Sequence, residues 1–190
     1  MTDTLPEADL TQYSWRRRYA TSHFGQSNEV VDLLRDFYVP ALLRSVAYDR
    51  VTGYFRSSAL AAASRGFSAL LQREGKVRLI AGCDLAAHDV QAILDGHTER
   101  LEAHLAAELD ALDDTPERIR RGVELLAYMV AQDRLDIRVA FRRHAETGKP
   151  ITLEDSSDGY VHEKWGILTD ALNNKLSFSG SMNESSAALE

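Results

Sequence analysis

Apolar positions along this chain repeat with two different periods, and the switches between them outline alternating helices and strands. Val30, Leu33, Leu34 and Phe37 fall on one helical face behind Ser27 or Asn28 as a cap. Pro40 is expected to interrupt that helix, with Ala41-Leu42-Leu43 forming one more turn. Residues 47–55 read as a strand in which Gly53 marks a close backbone approach. An alanine-rich helix then starts at Ser57-Ser58, runs through Leu71 and ends at Gly75. Lys76 to Gly82 is a second strand. Strand, helix, strand at this spacing is a βαβ unit, so the two strands are predicted to pair in parallel.

The second half continues the alternation. A helix through Leu94 is broken by Gly96. The next carries Leu101, Leu105, Leu109 and Leu112 at helical spacing. Thr115 can cap a further helix with Pro116 at its first position, and that helix runs to about Gln132. Residues 135–141 alternate with period two and form a strand. After a turn at Gly148-Lys149-Pro150, residues 160–169 and 175–179 are the last two strands, joined by a hairpin over 170–174. Asn183 then opens a helix. The expected architecture is α/β, a mixed sheet with helices on both faces, spanning residues 28–190. Residues 1–27 read as a polar, weakly ordered leader.

Composition narrows the class. The chain of 190 residues is 44% hydrophobic and 27% charged, which suits one cored domain. Its formal charge of −7 argues against a general nucleic-acid coat, though not against a local basic cleft. Arg16-Arg17-Arg18, Arg118 to Arg121 and Arg142-Arg143 are the basic clusters, each more often a solvated surface than a binding patch. Cys83 is the one cysteine, so no disulfide can form within the chain and a reducing cytoplasm fits. At the end of an apolar strand it reads as a buried thiol rather than a nucleophile. No apolar run approaches the ~18 residues that span a bilayer, so no membrane partner is expected.

The chemistry concentrates near the C-terminus. In Tyr160-Val161-His162-Glu163-Lys164, a strand would place His162 and Lys164 on one face and Glu163 on the other. The next strand ends in Gly180-Ser181-Met182-Asn183-Glu184. Gly180 would let the backbone approach an anion, and a helix opening at Asn183 would aim its amides at the same point. A lone strand histidine is more often packed or exposed than reactive, and a G-S-x-N turn alone is commonplace. The two on successive strands, followed by a helix, point to a phosphate site.

The pattern H-x-K … G-S-x-N resembles the signature of the phospholipase D superfamily. The resemblance implies a phospholipase D-like fold and a phosphodiesterase that needs no metal and no cofactor. Carried onto this chain, His162 is the nucleophile that forms a phosphohistidine. Lys164 and Asn183 hold the non-bridging oxygens, with Ser181 and Gly180 as further donors, and Glu184 supports the turn. The usual supporting aspartate would fall at Thr169; here Asp170 stands one residue later, and Gly166 is expected to absorb the slip through a local irregularity. One H-x-K is present, so the resemblance implies a homodimer pairing two copies of His162 across a two-fold axis. Val51-Thr52-Gly53-Tyr54-Phe55 and the form H-E-K-x-G-I resemble domains fused to bacterial DEAD/DEAH-type helicases and restriction enzymes. That subgroup makes DNA the expected partner, a fused helicase or translocase a further one, and Tyr54 with Gly53 substrate-binding residues at a strand end. Family domains continue beyond such a turn, so the chain is read as the N-terminal part of a longer protein.

Other readings stay open. The domain could be a catalytically silent module that binds nucleic acid or a partner, or a hydrolase of lipids or small phosphodiesters. His104 and Glu108 have the spacing of a metal pair on a helix, but without a third ligand nearby they read as a solvated face.

Overall fold

The computed structural model describes residues 5–19, 31–53, 57–82, 124–125, 128–140, 142–151 and 163–181. Their frame is five strands, β1 (Ala47–Thr52), β2 (Lys76–Gly82), β3 (Leu135–Ala140), β4 (Trp165–Thr169) and β5 (Lys175–Ser179). Across the sheet the order is β3-β2-β1-β4-β5. β1, β2 and β3 are parallel, while β4 is antiparallel to both β1 and β5. The sheet is therefore mixed, and β1 and β2 pair in parallel as the strand–helix–strand spacing predicts.

The helices depart from the sequence pattern where backbone sterics intervene. A π-helical turn, Leu34–Tyr38, passes directly into α1 (Val39–Leu42). Pro40 does not interrupt the helix but sits inside α1. It offers no N–H to the Asp36 carbonyl, and its ring would crowd that carbonyl in a regular helix. The wider turn before it gives the ring room, and the Tyr13 hydroxyl donates to the Asp36 carbonyl at 3.4 Å. The alanine-rich helix is two helices, α2 (Ser57–Ala62) and α3 (Ser64–Gln72), broken at the buried Ala63. The break brings Gly66 against α1, where a Cβ would lie 2.7 Å from the Leu42 Cβ. At the end of α3 the left-handed residue is Glu74 (φ 56°), not Gly75. Gly75 is required for a different reason: a Cβ there would stand 2.7 Å from the carbonyls of both Leu70 and Val46. Helical residues at 124–125 and 128–131 precede β3. The helices expected over 84–112 and the start of the one after Pro116 lie outside the described residues, as do Cys83, His104 and Glu108.

Register assigns the core to one face of the sheet. Tyr48 pairs with Val77 and Leu168, Leu79 with Ile137, and Leu168 with Leu176. Leu33, Phe37, Tyr38, Leu42, Leu60, Phe67, Leu70 and Met129 pack onto these residues. The strand side chains of this core all belong to that face, so the described residues show the helical layer of one face. Along the opposite face run Asp49 and Arg78, joined by two bonds of 2.5 and 2.6 Å, and the Asp136–Arg138 pair.

Residues 5–19 are docked on the domain, where composition suggests a polar leader. Leu10 lies in the core, and the Trp15 indole donates to the Leu10 carbonyl at 2.7 Å. Arg73 from the end of α3 donates to the Pro6 and Leu43 carbonyls.

Gly166 does not create an irregularity. β4 keeps unbroken register with β1 and β5 from Trp165 to Thr169. Glycine is needed there because Phe178 on β5 lays its ring across the strand. A Cβ at 166 would come within 2.5 Å of that ring and 3.2 Å of the Tyr48 ring. Phe178 also meets Phe37 edge-on at 5.1 Å and stacks on Tyr48. Gly166→Ala should therefore cost about 2 kcal/mol of stability, measured by urea unfolding. A compensating Phe178→Leu in the same chain should recover part of it; no recovery would place the strain elsewhere.

Candidate functional site

The core face of the sheet changes character along its length. It is aromatic and apolar around Tyr48, Leu168 and Leu176. Towards the carboxyl ends of β1 and β5 it carries Arg50, Thr52 and Lys164 instead. The cause is alternation: Tyr48, Arg50 and Thr52 are two apart on β1 and share a face. Arg50 pairs with Gly166, and Val51 with Trp165. One further step along the same register sets Lys164 beside Thr52. On its other side, the Gly180 N–H donates to the Lys164 carbonyl at 3.2 Å, which extends the β4–β5 ladder past its last named pair. Lys164 thus stands between the ends of β1 and β5, in the position where open α/β sheets place ligands.

These groups are deeply buried for their charge. Arg50 is 2% exposed and Lys164 8%, with Thr52 fully enclosed. The Arg50 guanidinium lies 5.1 Å from the centre of the Phe178 ring, the same ring that crosses Gly166. Burial, and then the repulsion of Arg50, push the Lys164 ammonium below its ordinary pKa, while Glu163 pulls the other way. Burial also lowers the Arg50 guanidinium, opposed by the Tyr48 phenol, and burial raises that phenol in turn. A guanidinium and an ammonium side by side on one sheet face are groups of the kind that bind anions.

The site residues expected from the sequence divide into three groups. Lys164, Gly180 and Ser181 come together at the strand ends. Ser181 is exposed, and a Cβ on Gly180 would meet nothing within 4 Å, so packing among the described residues does not demand glycine there. Gly53, half-buried, follows β1 at the same end of the sheet. His162, Asn183, Glu184 and Tyr54 lie outside the described residues. Asp170 is at the other end of β4, about 20 Å from Lys164 at the rise of an extended strand. Arg50 and Thr52 were not singled out by motif. The signal that could have found them is an arginine and a threonine in phase with the buried Tyr48.

Asp170 organises its own end of the sheet. It is 2% exposed and accepts four hydrogen bonds, from the backbone N–H groups of Leu10, Leu172 and Asn174 and from the Asn174 amide. These close the β4–β5 hairpin, in which Asn173 adopts a left-handed φ of 65°, and tie the N-terminal segment to it. Among the described residues no group of three His, Cys, Asp or Glu side chains could hold a metal ion, and no helix is long and apolar enough to cross a membrane.

No protein-family model and no curated protein matches the chain. Among solved structures it is similar to NucT from Helicobacter pylori, at 12% identity and a TM-score of 0.42, over 80% of this chain and 67% of that one. A likeness that loose assigns neither a family nor an activity.

Burial alone would push the Asp170 carboxyl up, but the bonds from Leu10, Asn174 and Leu172 outweigh it and hold its pKa below the ordinary 3.8. A carboxylate with a depressed folded-state pKa stabilises the fold above its unfolded value, and that contribution is lost as pH falls through the folded one. Asp170→Asn is therefore expected to cost about 2 kcal/mol at neutral pH. It should also flatten the loss of stability below about pH 4. Urea midpoints for both proteins between pH 7 and 2.5 test this; parallel curves would show that Asp170 does not set the acid limb.

Proposed function

We propose that this chain is a metal-independent phosphodiesterase of phospholipase D type, a DNA nuclease domain acting through a phosphohistidine on His162. The observation that carries the reading is the meeting of buried Lys164 with the Gly180-Ser181 turn at the carboxyl end of the sheet, beside a second buried cation. These strand ends border the H-x-K and G-S-x-N motifs in sequence, which supports a shared site for the two motifs.

In the proposed reaction a ring nitrogen of His162 attacks phosphorus, and the bond to the leaving nucleoside oxygen breaks. That oxygen takes its proton from the His162 of a second copy across the dimer axis. The same imidazole then draws a proton from water, whose oxygen attacks phosphorus and breaks the N–P bond. Lys164 and Asn183 hold the non-bridging oxygens, and Ser181 with the Gly180 N–H adds neutral donors where charge develops. Gly53 and Tyr54 line the approach at the end of β1, and Glu184 acts in support; Asp170, at the far end of β4, serves the hairpin instead. The Thr52-Gly53-Tyr54-Phe55 resemblance extends the proposal to a domain that works beside a helicase or translocase in a restriction or defence system.

The purified protein should cleave DNA in the presence of EDTA, and His162→Ala should lower the rate at least about a thousandfold. Activity per protomer should fall on dilution together with the dimer fraction seen by sedimentation. A folded dimer that binds DNA and never cleaves it would make this a binding module. Preference for a head-group diester over DNA would move the substrate class to lipids.

A further inference from the structure

We propose that Arg50 is a second phosphate-binding cation of this site, placing its guanidinium edge on a non-bridging oxygen of the scissile phosphate beside Lys164. The proposal rests on the phosphodiesterase reading for the identity of the anion, and goes beyond it because Arg50 belongs to neither motif.

Position is the first argument. Arg50 shares the core face with Lys164, on the adjacent strand and opposite Gly166, which is two residues from Lys164. The second is enclosure. The guanidinium carbon lies over the Phe178 ring, 5.1 Å from its centre, so an aromatic wall stands on one side of the group and its N–H donors. Phe178 is held by Gly166 beneath it and by Tyr48 and Phe37 at its sides, so that wall is in place before any ligand arrives.

The third argument is energetic. A buried arginine contributes little to stability beyond what an apolar side chain of similar length would supply, and such replacements are often neutral or stabilising. Packing over Phe178 therefore does not require a guanidinium. Arg50 stands close enough to Lys164 to lower the pKa of its ammonium, so one anion is within reach of both cations. As the His162 nitrogen adds to phosphorus, the imidazole gains one positive charge and the phosphoryl oxygens go from −1 to −2 between them. A second cation holds that extra charge better than the ground-state diester, so its effect falls on kcat more than on KM.

The test uses the full chain and inorganic phosphate as probe, followed on the Arg50 Nε–H resonance of the unaltered protein. Saturating phosphate should shift that resonance, and an unmoved Arg50 signal would overturn the proposal without any variant. Arg50→Met should fold with an unfolding midpoint equal to or above the parent's, bind phosphate at least about tenfold more weakly, and lose at least about a hundredfold in kcat on DNA with little change in KM. Parent-like phosphate affinity and kcat in folded Arg50→Met would overturn it while leaving the His162-dependent nuclease intact. Conversely, Arg50-dependent phosphate binding in a protein that cleaves no DNA would sustain the two-cation site and sink the nuclease reading.

Discussion

Two cations on the same sheet face as the hydrophobic core impose the constraint around which the rest of this molecule is arranged. Transferring a guanidinium and an ammonium out of water is costly unless their surroundings compensate. Here compensation is built from the strands themselves. Gly166 omits a side chain so that Phe178 can lie flat across β4, and Phe178 presents its electron-rich face to Arg50. The aromatic set below it, Tyr48, Phe37, Tyr38 and Phe67, then joins the sheet to the π-helical turn and α3. The Tyr38 and Tyr48 hydroxyls meet at 2.8 Å, so this layer satisfies its own polar atoms.

β4 divides its labour between its ends. At one, Lys164 sits between the ends of β1 and β5, close to Arg50. At the other, Asp170 gathers four donors and fixes the hairpin to the N-terminal segment. The two charges are of opposite sign and are too far apart to neutralise each other. Asp170 is answered locally, by three backbone amides and the Asn174 side chain. The strand between them is held in register on both sides, which ties the position of the Lys164 end to the anchored one.

The sequence made the strands legible and left the corrections to close approaches that no periodicity encodes. β2 and β5 fall where alternation and glycine punctuation put them, because a half-buried strand writes its two faces directly into its residues. The helices were harder. Pro40 was legible as a breaker, yet a wider turn and the Tyr13 hydroxyl accommodate it inside a helix. Ala63 carries no breaking signal; the kink follows from packing against Leu42. Gly75 ends the helix as read, its N–H donating to the Leu70 carbonyl, though neighbouring atoms are what exclude a Cβ there; Gly166 is fixed by the Phe178 ring rather than by a bulge. Lys164, Gly180 and Ser181, singled out by motif spacing, lie together at the strand ends. Arg50 was not, because a charged residue in a strand reads by default as solvent-facing, and only its phase with Tyr48 contradicts that.

The docked N-terminus bears on how this protein can be handled. Leu10 supplies both a core side chain and one of the amides that hold Asp170, and Pro6 receives the Arg73 guanidinium. A fusion junction or trimmed boundary placed at residue 28 would cut into the folded unit rather than remove a tail. The damage would begin at the hairpin, the end of β4 farthest from Lys164. Loss of function in such a shortened protein would then report a lost clasp, with the chemical groups themselves still present.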